Sequence, residues 1–162
     1  MPPVDLSGIA RGRVVVLGVG NTLKADDGAG PAVAEALRKR FPECAFDVGQ
    51  VPENFIGPIR RARPGTIILI DAADFGGTPG ETRIVSAGEI HGLTLGTHAL
   101  PLSVFMAAIA EEVGAKVHLV AIQAATTGLG GAMSVAVSDA VARLVQELER
   151  ILECPSEKEV DR

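Results

Sequence analysis

The chain has 162 residues, enough for one domain with a sizeable hydrophobic core. Its formal charge of −5 and the lack of a basic run argue against nucleic acid or an anionic membrane as its main partner. Apolar residues make up 47% of the chain, but no stretch reaches the roughly 18 unbroken apolar residues of a membrane span.

Cysteine content and the first residues indicate the compartment. Cys44 and Cys154 are too few for a disulfide framework and do not have metal-cluster spacing. Residues 1–5 lack the basic start and apolar core of a signal peptide. We therefore expect a cytoplasmic protein, a monomer, with a single domain over residues 1–162 and loose ends at 1–12 and 155–162.

Hydrophobic periodicity, interrupted by glycine and proline, predicts alternating strands and helices. In chain order these are strand 13–19, helix 30–40, strand 44–48, irregular helix 52–62, strand 66–70, strand 82–86, helix 101–113, strand 116–122 and helix 134–154, with a loop at 88–97. The strand at 82–86 follows another strand without an intervening helix, so we expect it to be antiparallel and at an edge. The predicted fold class is α/β, a three-layer α/β/α sandwich around a mostly parallel five-stranded sheet.

The first strand leads through glycines into an acidic loop. Gly18 and Gly20 end the apolar run, and Asp26 and Asp27 precede the first helix. The carboxyl end of a strand is where open α/β sheets place their ligand sites. The glycines approach a dinucleotide fingerprint, but Leu23 stands at the third glycine position and the carboxylates would repel a pyrophosphate. The pattern therefore disfavours nucleotide binding.

A further carboxylate follows the third strong strand. Asp71 comes directly after the predicted buried residues 66–70, where an unpartnered carboxylate is costly, whereas Asp74 is typical of a turn. In the common doubly wound order the first and third strands are neighbours, which would place Asp71 beside the acidic loop. His98 precedes the helix at 101–113, in a loop that can return to the same edge.

Two carboxylates and one imidazole from three loops suit a divalent transition metal with open coordination positions. The residues alone do not decide between Asp26 and Asp27 as a ligand, and one of the two is expected to cap the following helix. A catalytic triad of Ser103, His98 and Asp71 is disfavoured because Ser103 lacks the G-x-S-x-G elbow and lies in the first turn of a helix.

Four segments together resemble the hydrogenase maturation proteases, the endopeptidases that trim the C-terminus of the large subunit of nickel–iron hydrogenases. They are LGVGNTLKADDGAGP near the start, VPEN at 51–54, ILIDAADFGGTPGE at 68–81 and THALPLSVF at 97–105. The similarity extends from about residue 14 to residue 152. VPEN and THALPL resemble most the branch that serves formate-hydrogenlyase-type hydrogenases.

The resemblance implies roles for individual residues. Asp27, Asp71 and His98 match the metal-contacting and catalytic positions of the family, and Gly49 matches a glycine associated with substrate recognition. The family often has Asp-Gly-Gly where this chain has Asp47-Val48-Gly49. The resemblance therefore does not predict how residues 47–49 contact the substrate.

The resemblance also implies an activity. The chain is expected to remove the C-terminal extension of a hydrogenase large-subunit precursor after nickel insertion, near a basic or histidine residue, using the nickel of the substrate as the recognition signal. Another divalent metal in the resting site is compatible with the same residues. The metal either acts as a Lewis acid or only positions the peptide, with Asp27 or Asp71 as general base. A non-catalytic chaperone that binds nickel or the precursor shares these residues and is the alternative.

Overall fold

The computed structural model of the chain describes residues 4–95 and 101–153. The strands are β1 Val14–Val19, β2 Ala45–Gly49, β3 Thr66–Asp74, β4 Thr82–Val85, β5 Thr94–Leu95 and β6 Lys116–Gln123. The helices are α1 Ala29–Arg38, α2 Ile56–Ala62, α3 Leu102–Val113 and α4 Val135–Glu153, with 3₁₀ turns at Ala25–Gly28, Pro52–Phe55 and Ala87–Gly92.

The sheet has the order β2-β1-β3-β6-β4. Strands β1, β2, β3 and β6 are parallel, whereas β4 is antiparallel to β6 at one edge. The predicted fold class is thus confirmed, including the antiparallel edge strand. The expected loop at 88–97 instead contains a 3₁₀ turn and β5, which pairs antiparallel with the end of β3; two residues are too few to give a periodic pattern.

Helices cover both faces of the sheet. Val14 and Val16 of β1 face the cluster of α1 and α4, and Val15 and Leu17 face the cluster of α2 and α3. All six residues of β1 are buried, because a parallel strand between two helical layers has no solvent-facing side. This explains why the central strands have unbroken apolar runs.

The expectation of a loose leader at 1–12 is wrong for residues 4–12, the part that the structure describes. Leu6 and Ala10 are buried in the same cluster as α4. Arg11 donates its backbone N–H to Thr66 Oγ1 at 2.9 Å, and that hydroxyl in turn donates to the Arg11 carbonyl oxygen at 2.8 Å. Apolar side chains at Leu6 and Ala10 thus attach this segment to the body of the domain. The predicted loose tail at 155–162 lies outside the described residues.

Strand β3 is longer than predicted, and this changes the setting of Asp71. The pairing with β6 continues through Asp71↔Ala121, Ala72↔Ile122 and Ala73↔Gln123. Asp71 is therefore inside the strand rather than in a loop after it. A carboxylate and two alanines weaken the apolar signal of the strand but leave its backbone hydrogen bonds intact.

Helix α1 lies unusually close to the sheet at Gly30. A Cβ atom there would be 2.2 Å from the Val19 carbonyl oxygen and 2.3 Å from that of Ile70. We expect Gly30→Ala to lower the free energy of unfolding by about 2–3 kcal/mol, because backbone cannot move aside as a side chain can. Urea denaturation measures this. Gly88→Ala is the matched control, since a Cβ there meets nothing within 4 Å, and it should change stability by less than about 0.5 kcal/mol. Equal effects of the two substitutions would contradict the close approach.

Candidate active site

Asp27 is held in place by the backbone of the acidic loop, residues 20–28. The loop folds back on itself so tightly that a Cβ at Gly20, whose φ is +147°, would lie 2.0 Å from the Asp27 carbonyl oxygen. The N–H of Asn21 donates to that carbonyl oxygen at 3.1 Å and to Asp27 Oδ2 at 3.0 Å. Asp27 is only 6% exposed, and its side chain is fixed before any ligand arrives.

Asp71 lies next to this loop in the fold. It is fully buried in β3, one residue after Ile70, which pairs with Gly18 of β1. The 3₁₀ turn Ala25–Gly28, which contains Asp27, packs against β3. The structure thus brings Asp27 and Asp71 to the same carboxyl-terminal edge of neighbouring strands, 44 residues apart in the chain.

The third predicted ligand, His98, lies outside the described residues. Within 4–95 and 101–153, no group of three or more His, Cys, Asp or Glu side chains is arranged to hold a metal ion. The two aspartates alone therefore do not form a complete coordination site, and the role of the trio stays a prediction.

Asp26 binds the loop between β6 and α4, residues 124–134. Its carboxylate accepts hydrogen bonds from the N–H groups of Ala125 (2.8 Å), Thr126 (3.0 Å) and Ser134 (2.6 Å), and from Ser134 Oγ (3.0 Å). The expectation that Asp26 or Asp27 caps the following helix is wrong, because the N-cap of α1 is Gly28 and no side chain caps it. The donors of the 124–134 loop satisfy Asp26 instead.

These hydrogen bonds distinguish the roles of the two adjacent aspartates, Asp26 and Asp27. The two carboxylate oxygens of Asp26 together accept four hydrogen bonds. Within the described ranges, the carboxylate of Asp27 accepts a hydrogen bond only on Oδ2. Burial by itself raises the pKa of Asp26, but the donors of Ser134, Thr126 and Ala125 together outweigh it and lower the pKa below the ordinary value. Asp26 is therefore an ionised structural group, and Asp27 is the one of the pair with an oxygen available to a ligand.

Gly49 ends β2 beside the acidic loop. It has φ +57°, and its carbonyl oxygen accepts the N–H of Gly20 at 2.9 Å. A Cβ at Gly49 would meet nothing within 4 Å, so the space above it is open to a bound chain. Its role in substrate recognition stays a prediction.

Asp74, predicted as a turn residue, is the last residue of β3, and its side chain holds the turn that follows. Its Oδ1 accepts the N–H of Gly76 at 3.0 Å and Nε2 of Gln123 at 3.2 Å. Gln123, which the sequence did not single out, is buried and its Oε1 accepts the N–H groups of Phe75 and Gly77. The one sequence signal for Gln123 is that a polar residue ends a buried apolar run. In the structure, the side chain of Gln123 fixes the turn after β3.

Comparison with known proteins gives matches along most of the chain. The profile of the family described as HycI, hydrogenase maturation protease, matches residues 31–151. The hydrogenase 3 maturation protease of Escherichia coli K12 is 37% identical over 138 residues, which cover 83% of this chain and 88% of that protein. The chain belongs to the hydrogenase maturation protease family.

Solved structures of other family members have the same architecture. The crystal structure of a hydrogenase maturation protease HycI from Thermococcus kodakarensis has a TM-score of 0.81 and 31% identity, covering 93% of this chain and 97% of that one. The solution structure of the endopeptidase HycI from Escherichia coli has a TM-score of 0.72 and 32% identity, covering 92% and 98%. As a maturation protease this chain is a peptidase. Among the residues described, no helix has the length and apolarity needed to cross a bilayer.

Proposed function

We propose that this maturation protease removes the C-terminal extension of a nickel–iron hydrogenase large-subunit precursor after nickel has been inserted, and that it does so as a cytoplasmic monomer without nucleic-acid or membrane partners. The observation that carries the proposal is that two buried carboxylates, Asp27 and Asp71, lie at the carboxyl-terminal side of the neighbouring strands β1 and β3 in a chain that belongs to this family.

The chemistry of the two aspartates fits a divalent metal of the substrate. Two buried carboxylates at the same end of neighbouring strands are poorly solvated and repel one another if they approach closely, and a cation bound to both relieves these effects. Asp27 offers Oδ1 for this purpose. With the imidazole of His98, the set combines oxygen and nitrogen ligands that nickel accepts. The same set suits another divalent ion when no substrate is bound.

In this proposal the nickel held by the precursor docks against Asp27, Asp71 and His98, and the peptide bond to be cut lies nearby. Gly49 borders the path of the extended peptide. Asp27 and Asp71 either hold the metal that polarises the peptide carbonyl, or one of them takes the proton of the attacking water. Both versions require the same two carboxylates, and they differ in whether nickel takes part in bond cleavage.

Cleavage should depend on the nickel content of the precursor. With the purified protein, we expect mass spectrometry to show loss of a C-terminal peptide from nickel-loaded precursor. Nickel-free precursor should react at least about 100-fold more slowly, since the scissile bond is no longer positioned.

The outcomes separate the candidates. Equal rates with loaded and nickel-free precursor would show that nickel is not the recognition signal. Stable binding of loaded precursor without any loss of mass would instead favour the non-catalytic chaperone.

A further inference from the structure

The 3₁₀ turn Pro52–Phe55 contains a carboxylate that has no hydrogen-bond or ion-pair partner in the part of the chain that the structure describes. The turn follows β2, whose last residue, Gly49, is hydrogen-bonded through its carbonyl oxygen to the N–H of Gly20. The turn thus begins three residues after the strand end that is bonded to the acidic loop carrying Asp27. Glu53, its second residue, is half-buried.

Glu53 Oε2 is shielded from solvent and accepts no hydrogen bond within the described part of the chain. Buried carboxylate oxygens without a donor are rare in folded proteins because desolvating them is unfavourable. The turn does not need this oxygen, since no side chain caps it and the N–H of Asn54 bonds to the Val51 carbonyl oxygen.

Cationic side chains within residues 4–95 and 101–153 do not neutralise Glu53 either. Arg60 of the adjacent helix α2 forms its ion pair with Glu112 of α3, and no ion pair of Glu53 occurs among the described residues. One carboxylate provides too few ligands for a divalent metal. An organic cation that brings its own N–H donors is the better complement.

We propose that Glu53 is a subsite for a basic side chain of the precursor, an arginine, a lysine or a protonated histidine, which would reach the carboxylate through Oε1, the oxygen that is not shielded. This inference rests on the proposed function, because the precursor is the chain that supplies the cation. Val51, which is 38% exposed, lies two residues away and offers an apolar surface for the aliphatic stem of an arginine or lysine. The turn that carries Glu53 follows the end of β2, which is hydrogen-bonded to the acidic loop, so the subsite would hold the precursor while its C-terminal peptide is cut.

A double-mutant cycle tests the subsite. Wild-type protein and Glu53→Gln are assayed with nickel-loaded precursors in which each arginine, lysine and histidine near the cleavage site is replaced singly by glutamine. We expect Glu53→Gln to raise KM about 10- to 30-fold with little change in kcat, the effect of losing one charge-assisted hydrogen bond. One precursor substitution should cause a similar loss with wild-type protein and no further loss with Glu53→Gln.

Glu43→Gln is the matched control. This exposed carboxylate precedes the opposite end of β2, so its substitution should leave KM unchanged.

The melting temperature of Glu53→Gln should equal or exceed that of the wild type, because the substitution removes the negative charge from a carboxylate whose buried oxygen has no donor. A lower melting temperature with a fall in kcat for all precursors would mark a structural residue and overturn the subsite. So would additive effects of every precursor substitution. Wild-type protein that cleaves no loaded precursor would overturn the proposed function as well, which distinguishes the two failures.

Discussion

Asp71→Asn is expected to reduce kcat/KM for nickel-loaded precursor by at least about 1,000-fold, the loss associated with a general base or an essential ligand. Asparagine has the shape of aspartate but neither its charge nor its basicity, so the buried position in β3 stays filled. Asp27→Asn should have a comparable effect, and so should His98→Ala. Single-turnover cleavage followed by mass spectrometry measures the rates, and circular dichroism verifies the fold.

Asp74→Asn is the control for this experiment. Asp74 ends the same strand, but its carboxylate is exposed and serves the turn through Gly76 and Gln123. Its substitution should leave the cleavage rate within about threefold of wild type, because an exposed turn residue has only a small effect on stability. A wild-type rate for Asp71→Asn would remove Asp71 from the site, and the same holds for Asp27.

Asp26→Ala should lower the free energy of unfolding by about 4 kcal/mol. It leaves the N–H groups of Ala125, Thr126 and Ser134 without their charged acceptor, and each such loss costs about 1–3 kcal/mol. Ser134→Ala is the milder comparison, with a loss of about 1 kcal/mol, since it removes the hydroxyl and keeps the three backbone donors on the carboxylate. Urea denaturation at pH 7 measures both. Equal effects of the two variants would contradict the role of Asp26 as the anchor of the 124–134 loop.

The stabilisation by Asp26 should depend on pH in one direction. Its pKa in the folded state is below the ordinary value of 3.8, so folding favours the ionised carboxylate. The contribution is therefore fully present above pH 3.8 and is lost as the pH falls through the folded-state pKa. The difference in stability between wild type and Asp26→Ala should be constant from pH 7 to about pH 5 and shrink below pH 4. A difference that grows on acidification would contradict this.

The architecture could be predicted from the sequence because the strongest signals are local. Apolar runs within β1, β3 and β6, and the apolar stripe of α4, identify elements that are buried within the sheet or against it. Because the prediction depends on local apolar patterns, elements without such a pattern were missed. The two residues of β5 have no period, and Asp71 ended the apolar run before β3 ends.

The candidate site was predictable only in part. Strand order placed Asp71 beside the acidic loop, since neighbouring parallel strands end at a common edge. The distinction between Asp26 and Asp27 was not accessible, because the donors that occupy Asp26 lie 99 to 108 residues further along the chain. The segment VPEN contains Glu53, but its letters do not indicate a role for this carboxylate, since only the fold shows that one of its oxygens is shielded and without a donor in the described structure.

The position of Asp71 in a central strand affects how the protease can bind the hydrogenase precursor of the proposed function. β3 is paired with β1 over residues 66–70 and with β6 over residues 66–73, which include Asp71, and Asp27 is fixed by the backbone of Asn21. Neither carboxylate can move far without disrupting the sheet or the loop, so this half of the encounter is preorganised. In the proposed function, adaptation therefore falls to the precursor, whose C-terminal extension has to lie across a rigid surface. The conformational entropy lost in ordering the extension is lost by the substrate, so we expect the flexibility of the extension to affect the rate of cleavage.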